Sequence, residues 1–175
     1  AWKDRERRFD QAKRDAESEA FFLADHAGRL FEVSKVGLGT ASRILGKHPW
    51  DEAALSPEVY TQLRALADSL PYVEDIWLND EKGRLRVTSF GFPSPTSDAS
   101  DRESFKTAML PSRDLFIGPK IVGRVTKRPT FLVSQRLETL EGQFRGMVAI
   151  TIDSNYFSDY WTKVKLAEGT RVTLA

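Results

Sequence analysis

The stretch from Asp101 to Asp153 contains DRESFKTAML (101–110), LFIGPKIVGRV (115–125), RPTFLVSQRLET (128–139) and QFRGMVAITID (143–153), and its reading decides the fold. A short amphipathic helix leads into three runs that alternate apolar and polar residues and are joined by Gly- and Pro-containing turns, the pattern of an antiparallel meander. Strand side chains alternate with a period of two, so Phe131, Val133, Gln135 and Leu137 share one face of their run and Leu132, Ser134 and Arg136 the other. In the next run Phe144, Gly146, Val148, Ile150 and Ile152 oppose Arg145, Met147, Ala149 and Thr151. Between the two, Leu140 to Gln143 includes the glycine expected of a hairpin connection. Which face looks into a cavity depends on strand register.

Upstream, Tyr72 to Asn79 and Arg84 to Phe90 read as a second hairpin around Asp80-Glu81-Lys82-Gly83, with Val73, Ile76, Leu78, Leu85 and Val87 as core positions. Gly91 to Ser100 is rich in Pro, Ser and Gly without periodicity and reads as a loop. Asp101 is placed to cap a helix starting at Arg102. Ser56-Pro57-Glu58 opens an earlier helix whose stripe is Val59, Leu63, Leu66 and Leu70, and Pro71 stops it. Before it, Phe9, Ala12, Ala16, Ala20, Leu23, Ala27, Leu30 and Phe31 recur at three- and four-residue steps, which predicts one long amphipathic helix from about Trp2 to Leu45. At 1.5 Å per residue such a helix is roughly 60 Å long, against roughly 40 Å for a compact domain of this size, so it overhangs. The overhang reads as a dimer contact or a connector, with the stripe through Ala16, Ala20, Leu23 and Ala27 contributing to the contact. Downstream, Ser154 to Lys165 predicts a further helix, and Thr170 to Ala175 alternates like a strand.

The chain of 175 residues is about one domain, and its formal net charge of +1 gives no field for nucleic acid. It has no cysteine, which excludes disulfides, thiolate metal sites and cysteine nucleophiles. No stretch has the length and apolarity of a membrane span, and no signal sequence opens it. Because Ala1 falls directly inside a helical pattern, the sequence reads as a piece whose flanks are missing.

These elements make an α+β layout, a long N-terminal helix packed on an antiparallel sheet of about five strands. The long helix, the IWLNDEKGRLRVTS hairpin, the SDRESFKTAM helix, FIGPKIVGRVTKRPTFLVSQRL and the closing FRGMVAITIDSNYFSDYW together resemble the membrane-distal PAS-like module of the double Cache (PDC) sensor domains of bacterial histidine kinases, diguanylate cyclases and chemoreceptors. The resemblance implies a PAS-like Cache sheet in residues 51–165, preceded by the long helix and its exit loop in 1–50 and followed in 166–175 by a linker or the start of a second module. It also implies a sensor outside the membrane, periplasmic or extracellular, anchored by flanking helices and dimeric in the full-length receptor. The tyrosine, arginine, tryptophan and aspartate signature of the amino-acid-binding Cache subfamily is not evident.

Catalysis is not indicated. GxSxG, HExxH and phosphate-binding glycine loops are absent, and His26 and His48 lack metal-ligand spacing. Asp98/Asp101 and Glu138/Glu141 read as caps and turn residues. No cofactor is expected, since no His or Cys sits on the sheet to hold haem.

A binding pocket is expected where the loop and short helix overlie the sheet, with Trp77, Phe90, Arg102, Phe105, Arg128, Phe131 and Ser134 as its residues. Arg102 and Arg128 are the charge partners for a small anionic or polar molecule, and Phe105 and Phe131 are apolar walls. Arg124, Lys127 and Arg128 lie on the Gly123–Pro129 turn, where sensors similar to this one close the pocket. Structural alternatives are a surface salt bridge of Arg102 with Asp98 or Glu103, a solvated basic tip at Arg124, Lys127 and Arg128, and core packing for Trp77. The functional reading is a ligand-binding input domain. The alternatives are a dimerisation module without a ligand and a cytoplasmic PAS domain.

Overall fold

The computed structural model describes residues 2–112, 114–156 and 159. In chain order the elements are α1 (Trp2–Leu45), α2 (Trp50–Ala54), α3 (Pro57–Asp68), β1 (Val73–Asp80), β2 (Leu85–Thr88), α4 (Glu103–Ala108), β3 (Phe116–Ile117), β4 (Ile121–Val122), β5 (Pro129–Glu138) and β6 (Phe144–Asp153). All strand pairings are antiparallel, in the order β2-β1-β6-β5-β3, with β4 also on β5. The described residues thus form six strands where about five were expected. The extra one arises because Gly118-Pro119-Lys120 breaks the 115–125 run into two short edge pieces, proline having no N–H to give the ladder.

β6 lies at the centre, between β1 and β5. It is buried from Gly146 to Ile152, which is why this run is apolar on both faces rather than one. One face of the sheet presents Ile76, Leu78, Val87, Val133, Val148, Ile150 and Ile152 to Leu38, Ala41 and Leu45 of α1 and to Val59 and Leu63 of α3. The other face presents Met147, Ala149, Leu132 and Trp77 to Phe105 and Ala108 of α4. The sheet is therefore the middle layer, with the long helix on one side and the short one on the other.

Ser56 caps α3 by accepting a hydrogen bond from the Val59 N–H at 3.2 Å, with Pro57 at the first helical position. Helix α1 runs unbroken through Gly37 because that glycine faces the sheet. A Cβ there would lie 3.1 Å from Ile150 Cδ1 and 3.3 Å from Leu70 Cδ1, so its absence lets the helix settle closely. Gly146 is a position that requires glycine: its φ is +144°, and a Cβ would run into the Asn79 carbonyl of β1.

The fold departs from the sequence reading at three places. Asp101 does not cap α4; Arg102 is the N-cap and makes no side-chain cap bond, because Asp101 is drawn instead to an arginine on another element. The short α2, whose Trp50 Nε1 donates to the Arg145 carbonyl at 3.2 Å, was not expected. Leu23 and Ala27, expected to join Ala16 and Ala20 on a dimer stripe, are buried within the fold, whereas Trp2, Phe9, Phe21, Phe22, Val33 and Val36 stand exposed on α1. Residues 154–156 are helical; the remainder of the predicted C-terminal helix, apart from residue 159, and the final strand lie outside the described residues.

Candidate functional site

Between the α4 face of the sheet and the chain that crosses it lies a cavity of about 90 Å³. Its floor is Trp77 and Asn79 of β1, Leu132 of β5 and Met147, Ala149 and Thr151 of β6. These residues meet because Trp77 pairs with Ala149, Asn79 with Met147 and Leu132 with Thr151, and paired residues share a face. One wall is the loop Ser97–Ala99 with Arg102 and Ser104 at the start of α4. The roof is the β4–β5 connection, from Ile121 through Gly123, Arg124, Val125 and Thr126.

The roof is fastened to the wall by Arg124. Its guanidinium donates to Asp101 Oδ1 at 2.7 Å and Oδ2 at 2.5 Å, and to the Asp98 carbonyl at 2.5 Å. This two-pronged bond holds the Asp101 carboxyl below the usual carboxylate range. Asp98 is also held low, because Oδ1 accepts from the Ser100 N–H at 2.7 Å and its hydroxyl at 2.5 Å. At the opposite end of α4, the Arg136 guanidinium donates to the carbonyls of Ala108 and Met109 at 3.1 and 3.0 Å and lies 4.8 Å over the Phe144 ring. It thereby caps the helix C-terminus and fixes α4 on the sheet.

Thr151 is the polar centre of the floor. Its Oγ1 accepts from the Trp77 indole N–H and the Asp75 N–H, each at 3.2 Å, and donates to the Asp75 carbonyl at 3.1 Å. The Asp75 carboxyl, beside Ser89 and 3.7 Å from Arg64 Nη1, is pushed up to about 6, burial outweighing the arginine.

The structure brings two of the seven anticipated residues, Trp77 and Arg102, to the cavity lining. Phe90 stacks on Trp77 at 6.2 Å and covers it from outside. Phe105 is buried beneath α4, edge-on to Phe144 at 5.6 Å, and supports the wall from behind. Arg128 points to Glu74, Nη1 to Oε1 3.6 Å. Phe131 packs on the α1 face, across the sheet from the cavity. Ser134 lines a neighbouring cavity of about 240 Å³ with Thr107, Asp114 and Arg136. Sequence reasoning did not single out Leu132, Met147, Ala149 or Thr151 as site residues, and it weighed Arg124 only as one of three basic residues on a turn that either closes the pocket or stands solvated. The first four are on the faces that alternation defines, and the missing signal was only the direction of those faces.

No family model matches the sequence, and no curated protein matches it. Solved structures do. The extracellular domain of rpHK1S-Z16, described as a histidine kinase, is 34% identical with a TM-score of 0.81 over 92% of this chain and 65% of that one. The sensory domain of the Campylobacter jejuni chemoreceptor Tlp3 with isoleucine bound gives a TM-score of 0.66 at 14% identity, over 86% of this chain and 62% of that one. This chain has the Cache-type, PAS-like sensor fold. The ligand-binding domain of the Pseudomonas aeruginosa PAO1 amino-acid chemoreceptor PctC in complex with GABA has the same fold, at a TM-score of 0.65, 17% identity, 85% of this chain and 66% of that one. Neighbours of this Cache fold are thus extracellular sensor domains of histidine kinases and chemoreceptors, as expected of a PDC-type domain, and the chain spans less than two thirds of these relatives' length. Among the described residues no helix is long and apolar enough to cross a membrane, and no group of three or more His, Asp or Glu is arranged to hold a metal.

Proposed function

We propose that this Cache domain is the non-catalytic input module of a membrane-anchored bacterial receptor, binding a small anionic or polar molecule outside the membrane in the cavity under the Arg124 clasp. The carrying observation is that cavity: a largely apolar floor, one cation in its wall, Arg102, and a roof made of a connecting segment held down at its end. Its small volume suits a metabolite rather than a larger ligand. Among the described residues Arg102 Nη2 has only a 3.5 Å contact with the Val122 carbonyl, which leaves most of its donors for a ligand. Occupancy would bias the roof and α4, and through the sheet α1, toward one of two arrangements, by no more than the ligand's differential affinity for them. The exposed Trp2 and Phe9, seven residues apart on α1, favour a homodimer in the full-length receptor, whose output is a kinase or a similar cytoplasmic domain.

A thermal-shift screen of small organic acids, amines and sugars tests the reading. The expected result is at least one compound that stabilises wild type but not Val125→Trp, in which the roof side chain fills the cavity. A ligand that stabilises both proteins equally places the site elsewhere.

A further inference from the structure

We infer that the ligand is a short aliphatic carboxylate without an ammonium group, so that this cavity, unlike those of the amino-acid receptors sharing its fold, discriminates against α-amino acids. The inference rests on the proposed site and deepens it. Four charged side chains stand at or beside the cavity: Arg102, Arg124, Asp98 and Asp101. Arg124 and Asp101 satisfy each other through two parallel hydrogen bonds, and Arg124 takes the Asp98 carbonyl as well. The Asp98 carboxylate is folded back onto Ser100 and belongs to an exposed residue at the rim. Among the described residues no carboxylate is therefore presented inward to pair an ammonium.

The floor reinforces this. Leu132, Met147 and Ala149 are apolar, Asn79 is held by an amide N–H donated to the Gly83 carbonyl at 2.9 Å and carries no charge, and Thr151 is committed to Trp77 and Asp75. An ammonium enclosed there would lose its water without a counter-charge, a cost that neutral hydrogen bonds do not offset. A carboxylate meets the opposite situation. The Arg102 guanidinium offers a planar fork matched to two carboxylate oxygens, and the buried Ser104 hydroxyl, also in the lining, can donate a further bond. The carbon skeleton then rests on Leu132, Met147, Ala149 and Val125.

Isothermal titration of the 175-residue chain with propionate, lactate and isovalerate, each against its amino and amide counterparts (alanine and valine; propionamide, lactamide and isovaleramide), decides the matter. The expected result is binding of at least one of the three acids, weakened roughly 10- to 100-fold in its amino and amide counterparts and in Arg102→Gln. An amino acid that binds as tightly as its ammonium-free isostere overturns the inference, as does an amide that does so, or failure of all three acids to bind. The Val125→Trp variant separates the two levels. If an acid binds it as well as wild type, the proposed site itself fails; if an amino acid binds wild type but not this variant, the site stands and only the ligand class is wrong.

Discussion

Arg124 and Asp101, 23 residues apart in sequence, face each other with both guanidinium–carboxylate hydrogen bonds formed, at 2.7 and 2.5 Å. The pair joins the β4–β5 roof to the lead-in of α4 and so spans the mouth of the cavity. Because both side chains are exposed, solvent and salt weaken their attraction, and their value lies in position rather than in global stability.

Arg124→Ala is therefore expected to leave the melting temperature nearly unchanged while loosening the roof. Hydrogen exchange by mass spectrometry should show faster exchange over residues 121–128 and 98–102, with the β5–β6 ladder unaffected. Unchanged exchange in the roof would show that the clasp does not hold it.

Asp75 gives a pH dependence whose sign is the reverse of an ordinary surface carboxylate. Its folded-state value of about 6 lies above the unfolded value of 3.8, so between them the folded chain binds more protons and loses stability as pH rises. The contribution is most favourable below 3.8 and is lost by the time pH has passed through about 6. Asp75→Asn, which keeps an acceptor for Ser89, should raise stability above neutral pH by up to about 3 kcal/mol. Urea melts of both proteins from pH 4 to 8 provide the check; parallel curves would remove Asp75 as the source.

Gly146→Ala should destabilise by roughly 2–3 kcal/mol, since the new Cβ meets both an unfavourable φ and the backbone of β1. Ile150→Ala, at a fully buried position between Gly37 and the rest of the core, should cost about 2–5 kcal/mol through the cavity it leaves. Denaturant unfolding measures both. A Gly146→Ala midpoint equal to wild type would mean that β1 and β6 are not in close contact there.

Trp77 lies on the cavity floor, whereas Trp50 lies near Arg145 on the far side of the first hairpin. Ligand binding should change the intrinsic fluorescence of wild type and of Trp50→Phe, and the change should vanish in Trp77→Phe. A signal that survives in Trp77→Phe and disappears in Trp50→Phe would move the ligand to the other end of the sheet.

The sequence by itself determined the long helix, the capped α3, the two hairpins and the PAS-like order of elements. Each of these follows from local signals: the helical spacing up to Leu45, Ser56-Pro57 as cap and first residue, and the alternation in 130–139 and 143–153. Alternation separated Phe131 from Leu132 but could not say which of them faces α1, because that depends on where Ile152 and Thr151 of the neighbouring strand lie. The tertiary structure decided that Leu132 lines the cavity and that Phe131 is core. It likewise decided Asp101, for which local chemistry offered a helix cap. A carboxylate takes the strongest donor within reach, and the fold brings it the doubly bonded guanidinium of Arg124, a partner no local pattern in the sequence reveals.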